Sequence, residues 1–158
     1  MGATGGLDSN ILRAYDIRGI VGQTLQIEDA FAIGRAFATV SAARLGRQPK
    51  LCVGYDGRLS SPDLEAALVS GLVSSGADVL RSGLGPTPML YFAVKKLDRD
   101  GGVMVTGSHN PPDFNGFKLT LSGLPFWDQD IQILGKVISD ADFADCQGKA
   151  AKVSVENE

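Results

Sequence analysis

Cysteine, histidine and long apolar runs are all scarce in this chain. Two cysteines occur in 158 residues, Cys52 and Cys146. Neither has metal-ligand spacing, which favours a reducing, cytoplasmic setting over a disulfide-stapled one. No apolar run approaches the length needed to cross a bilayer, so no membrane association is expected. The opening Met1-Gly-Ala-Thr-Gly-Gly has neither the charged nor the apolar region of a signal peptide, and residues 1–10 read as a disordered lead-in. A basic excess is missing as well. Fifteen Lys and Arg face eighteen Asp and Glu, a net charge of −3, which argues against a general nucleic-acid binder. No internal repeat or low-complexity tract is evident.

What is present suits one soluble domain with a sizeable core: 44% hydrophobic and 21% charged residues. Ile11 to Ile20 reads as a short strand running into a loop near Gly19. Glu28 to Gly46 has helical spacing, with Ala30, Ile33, Phe37 and Val40 on one face, acidic residues in the first turn and a glycine stop. Lys50–Tyr55 reads as a strand and ends in the turn Asp56-Gly57-Arg58. Ser61 and Pro62 then open a helix that runs to about Gly76. Asp78–Arg81 is a short strand, Gly83–Pro88 a rigid loop, and Pro88–Leu97 a helix. Gly102–Thr106 is a short apolar strand. Phe114-Asn115-Gly116 reads as a turn, and Gly116–Leu121 as a strand with Lys118 and Thr120 on one face. The Asn-Gly pair suggests a reversal, so that strand is expected antiparallel to a neighbour. Asp128 to about Asp140 is the last helix. Residues 152–155 fit an edge strand or the start of a further segment equally well. The alternation of strands and helices predicts an α/β fold, a three-layer αβα domain with a mixed, mostly parallel sheet.

The strand Gly102–Thr106 breaks abruptly into Gly107-Ser108-His109-Asn110-Pro111-Pro112, a stiff loop of the kind that carries chemistry outside the carboxyl ends of a sheet. His109 is the chain's only histidine. Three uses compete for Ser108. It could be a turn serine. It could be a hydrolase nucleophile, but His109 is adjacent and awkwardly placed, and no Gly-x-Ser-x-Gly elbow exists. It could carry a phosphoryl group, which needs positioning and cationic neutralisation more than a strong base. Arg18, Arg58 and Lys118 lie on segments that can converge at the same edge, and Lys118 is also a candidate acid or base.

Four stretches together carry a resemblance. They are Arg13-Ala-Tyr-Asp-Ile-Arg-Gly19, Gly54-Tyr-Asp-Gly-Arg-Leu-Ser60, Pro86-Thr87-Pro88, and Thr106-Gly-Ser-His-Asn-Pro-Pro-Asp-Phe-Asn-Gly-Phe-Lys118. In this order they resemble the phosphohexomutases, in particular the bacterial phosphomannomutase/phosphoglucomutase branch. The resemblance covers about residues 11–140 and implies the following roles. Ser108 is the phosphoserine that passes phosphate to a hexose phosphate through a 1,6-bisphosphate, and its phosphate helps ligate Mg²⁺. His109 and Lys118 flank the transfer, while Tyr15, Arg18, Arg58 and Asn110 hold the substrate or the phosphoserine region. Hexose 1,6-bisphosphate is expected as activator. Relatives of this type have four domains, and only the first is matched. No Asp-x-Asp-x-Asp magnesium loop is found, and residues 141–158 read as a tail or as the start of a second domain. The expectation is therefore a domain that is inactive alone, with the remaining mutase domains as its partners and a dimer through apolar surface as a further expectation. The alternative is a stand-alone sugar-phosphate-binding module.

Overall fold

The structure is a computed structural model, and it describes residues 7–153. Among these residues the elements run β1 (Ile17–Ile20), α1 (Ile27–Leu45), β2 (Lys50–Tyr55), α2 (Ser61–Ser74), β3 (Asp78–Leu84), α3 (Thr87–Lys96), β4 (Gly101–Val105), β5 (Phe114–Leu121), β6 (Leu124–Pro125), α4 (Gln129–Asp140) and β7 (Lys149–Lys152). The strands form one sheet in the order β1-β5-β4-β2-β3-β7, with β6 added to β5. Pairing is parallel between β2 and β3, β2 and β4, and β3 and β7. It is antiparallel wherever β5 takes part. β5 alone runs against the other strands.

Side-chain alternation along the strands builds two unequal cores. Leu51, Val53, Val103, Val105, Phe117 and Leu119 point to one face, where α1, α2 and α4 cover them. Cys52 and Met104 point to the other, where Leu90 and Ala93 of α3 meet them. The result is the expected three-layer αβα domain. α1 starts with a capping box, in which the Asp29 carboxylate accepts the Gln26 amide at 2.7 Å, and it ends at Gly46 in the left-handed conformation. α1 and α2 cross closely at Gly34 and Gly71. A Cβ on Gly71 would sit 3.0 Å from the Phe31 carbonyl carbon, and one on Gly34 would sit 2.9 Å from the Leu72 amide nitrogen. No helix among the described residues is long and apolar enough to cross a membrane.

The turn expected at Phe114-Asn115-Gly116 is strand instead. β1 captures it, pairing Ile20 with Phe114, Gly19 with Asn115 and Arg18 with Gly116. The chain reverses earlier, between Gly107 and Asp113. Of the expected lead-in, residues 1–6 lie outside the described residues. From residue 7 on, Leu7 packs against the core and Ser9–Ile11 forms a 3₁₀ turn. Toward the other end the edge strand is Lys149–Lys152, paired with Asp78–Arg81, and residues 154–155 lie outside the described part.

Candidate functional site

Two loops meet at the carboxyl edge of the sheet. One follows β2 and carries Asp56, Gly57 and Arg58. The other joins β4 to β5 and carries Ser108. Because β2 and β4 are paired neighbours in register from Leu51–Gly101 to Tyr55–Val105, their ends deliver these loops side by side.

Asp56 ties the loops together. Its Oδ1 accepts the Ser61 hydroxyl at 2.5 Å and the Arg58 amide at 3.1 Å. Its Oδ2 accepts the Thr106 hydroxyl at 2.8 Å and the Gly107 amide at 3.2 Å, and lies 3.4 Å from Arg58 Nε. Burial alone would push this carboxyl up. The bonds from Ser61, Thr106, Arg58 and Gly107 outweigh burial, and the group is held below the usual carboxylate range.

Arg58 continues the tie into the serine loop. Its Nη1 donates to the carbonyls of Pro111 (2.5 Å) and Phe114 (3.0 Å), and its Nη2 to those of Ser108 (3.0 Å) and Asn110 (2.7 Å). The guanidinium lies over Gly107, where any Cβ would stand 2.6 Å from Nη1. Arg58 therefore holds the loop's backbone, with four carbonyls using its fork of donors.

Ser108 has φ +55°, the left-handed region, which costs a non-glycine residue about 1–2 kcal/mol. Its amide donates to Thr106 Oγ1 at 2.9 Å and its carbonyl accepts from Arg58. Its hydroxyl has no hydrogen-bond partner among the described residues. The backbone is fixed on both sides while the side chain is left available.

The other expected residues divide. Arg18 donates to the Asn110 side-chain carbonyl and to Asp16, which joins β1 to the serine loop. Lys118 pairs with Met104 across the β4–β5 ladder and shares a sheet face with Arg18, whose partner is Gly116. It is half-buried and has neither hydrogen bond nor ion pair among the described residues. His109 is exposed beside Ser108. Tyr15 is 71% exposed and stacks on Trp127, with ring centroids 5.7 Å apart. A cleft of about 300 Å³ beside the loops is lined by Asp56, Gly57, Arg58, Asn110 and Pro112. A larger one, about 700 Å³, begins at Thr120 and extends under α3 past Tyr91 and Val94, away from Ser108.

Asp56 and Thr106 were not among the residues that sequence reasoning selected. The available signal was position: an acid directly after a buried strand, and a hydroxyl two residues before the serine. No group of three or more His, Cys, Asp or Glu among the described residues could hold a metal ion. The Asp56 oxygens already accept four hydrogen bonds, so these residues do not make a magnesium site by themselves.

With this geometry in place, the comparisons are direct. The family description "Phosphoglucomutase/phosphomannomutase, alpha/beta/alpha domain I" matches residues 9–145. A phosphomannomutase/phosphoglucomutase of Pseudomonas aeruginosa is 47% identical over 149 residues, covering 94% of this chain and 32% of the relative. A phosphoglucomutase of Neisseria meningitidis is 44% identical over 151 residues, again covering 94% and 32%. The crystal structure of a phosphoglucomutase/phosphomannomutase family protein from Burkholderia thailandensis superimposes with a TM-score of 0.88 at 42% identity, covering 94% of this chain and 34% of that one. The chain spans about a third of the length of the curated relatives it matches.

Proposed function

Because this chain belongs to the phosphoglucomutase/phosphomannomutase family and corresponds to its first α/β/α domain, we propose that Ser108 is a phosphoryl carrier for hexose phosphates. The observation that supports this most is the held backbone and free hydroxyl of Ser108. In the first step the bond from phosphorus to Ser108 Oγ breaks and a bond to a hydroxyl of the hexose monophosphate forms. The proton of that hydroxyl leaves to a base, and the product is a hexose 1,6-bisphosphate. In the second step the bond from the other phosphorus to its sugar oxygen breaks, a bond from that phosphorus to Ser108 Oγ forms, and the freed sugar oxygen takes a proton, leaving the isomeric monophosphate. Such transfers depend on positioning and charge neutralisation.

The residues take distinct parts. Lys118 is the candidate for moving the proton, since it is half-buried, unpaired and on the Arg18 face. Arg18, through Asn110, fixes the middle of the loop and brings a cation to the site. Arg58 keeps the loop's shape. Tyr15 and His109 are exposed and can contact a sugar from outside the loop. Mg²⁺ would need ligands beyond the described residues, with a Ser108 phosphate oxygen as this chain's share. The free thiols Cys52 and Cys146 accord with a cytoplasmic setting.

The test uses a full-length relative of this branch carrying this domain, incubated with labelled glucose 1,6-bisphosphate. Label is expected on Ser108, and Ser108→Ala should abolish both labelling and isomerisation of glucose 1-phosphate. Lys118→Met should lower turnover about 10²–10⁴-fold while still allowing labelling to be detected. Full isomerase activity in Ser108→Ala would overturn the reading. Saturable binding of a hexose phosphate by the isolated 158-residue chain, lost in Arg58→Ala, would favour the stand-alone binding module.

A further inference from the structure

Thr106 stands between a carboxylate and the amide of the serine, and its hydroxyl can donate to the first while accepting from the second. Asp56 is held in its ionised form, so its Oδ2 can accept but not donate. The Thr106 proton must therefore point at Asp56, across 2.8 Å. That leaves a lone pair of Thr106 Oγ1 facing the Ser108 amide, across 2.9 Å. The sense of the relay is fixed at both ends, because an amide N–H only donates and an ionised carboxylate only accepts: Ser108 N–H to Thr106 Oγ1, and Thr106 O–H to Asp56.

The same carboxylate oxygen accepts the Gly107 amide at 3.2 Å, so the two residues before Ser108 hang from one atom. The Gly107 carbonyl accepts the Asn110 amide at 3.0 Å and closes the turn over the serine. Residue 108 is held left-handed by this arrangement. In an extended conformation its amide would leave Thr106, and its carbonyl would leave Arg58.

We propose that Asp56 and Thr106 are a positioning pair for Ser108: the carboxylate orients the Thr106 hydroxyl, and that hydroxyl fixes the Ser108 amide and thereby the direction of Oγ. The pair touches no reacting atom. The functional meaning rests on Ser108 being the phosphoryl carrier, but the relay itself does not.

The experiment uses the 158-residue chain, labelled with ¹⁵N, with phosphoserine installed at 108 by genetic encoding in a parallel sample. Four proteins are compared: wild type, Thr106→Val, Thr106→Ser and Asp56→Asn. Amide hydrogen exchange is read at Ser108 and, as internal controls, at Val103 and Leu119. In the phosphorylated samples the ³¹P shift and its titration midpoint are read. The expected result is at least tenfold faster exchange at Ser108 in Thr106→Val, with the controls unchanged and a displaced ³¹P signal. Thr106→Ser should restore both readouts, because it keeps the hydroxyl and loses only the methyl. Asp56→Asn should resemble Thr106→Val. If Asp56→Asn fails to fold, the Val and Ser pair still decides.

Unchanged Ser108 exchange in Thr106→Val would overturn the proposal. So would equal acceleration at Val103 and Leu119, since the effect would then be loss of fold rather than of position. No mutase turnover enters these readouts, so a failed relay and a failed carrier assignment are told apart.

Discussion

At the residue scale, the site is an arrangement of charges that satisfy backbone. Arg58 looks from its sequence like a phosphate ligand, yet its donors go to four carbonyls of the serine loop. Pattern alone could not reveal this, because a cation beside a phosphate loop reads the same whether it grips substrate or main chain. Asp56 was hidden for a similar reason: an acid in an Asp-Gly-Arg turn looks like turn chemistry until its partners are known. The positions of Ser108, Lys118 and Arg18 could be placed from the sequence, because each lies at the end or on one face of a readable strand. Asp56 also gives a pH prediction. Its folded pKa lies below the usual carboxylate value. Its contribution to stability is thus complete above the unfolded value, about pH 4, and is lost as pH falls through the folded one. The stability difference between wild type and Asp56→Asn, measured by urea unfolding, should be constant from neutral pH to about pH 5 and shrink below about pH 4. A difference that grows on acidification would contradict this.

At the element scale, periodicity placed the four α-helices of the described residues to within about two residues, because each carries an apolar face and terminal signals. Boundaries failed where a distant strand intervened. Asn115-Gly116 has the composition of a turn, but β1 pairs with it and the Asn115 side chain is buried, donating to the hydroxyls of Ser60 and Ser61 at 2.8 and 3.0 Å. No local rule anticipates a partner about a hundred residues earlier in the chain. The α1–α2 crossing is likewise invisible in one sequence, since Gly71 reads only as a weak spot in a helix. In the fold its missing side chain lets the two backbones touch. Gly71→Ala should gain roughly 1 kcal/mol of helix propensity. It should lose more than that to the clash with the Phe31 carbonyl, for a net destabilisation of about 1–3 kcal/mol by urea denaturation. A more stable Gly71→Ala protein would mean the crossing opens easily.

At the scale of the whole molecule, the chain corresponds to the first α/β/α domain of its family. The relatives are about three times as long as this chain. The 158-residue chain by itself is expected to show no isomerisation of glucose 1-phosphate, with or without Mg²⁺, in a coupled assay. Turnover that rises with Mg²⁺ would refute that. Apolar side chains such as Leu59 and Leu84 stand exposed near the ends of β2 and β3, and for the isolated chain they fit the expected tendency to associate. The serine loop, by contrast, is complete without any further domain. Its shape is held by Asp56, Arg58, Thr106 and Arg18, all supplied by this chain. Folding has therefore already removed the loop's conformational entropy before any sugar arrives. With Ser108 as the proposed phosphoryl carrier, a hexose phosphate docking against it would give up its own freedom and little of the protein's, leaving more of its binding energy for aligning the transfer.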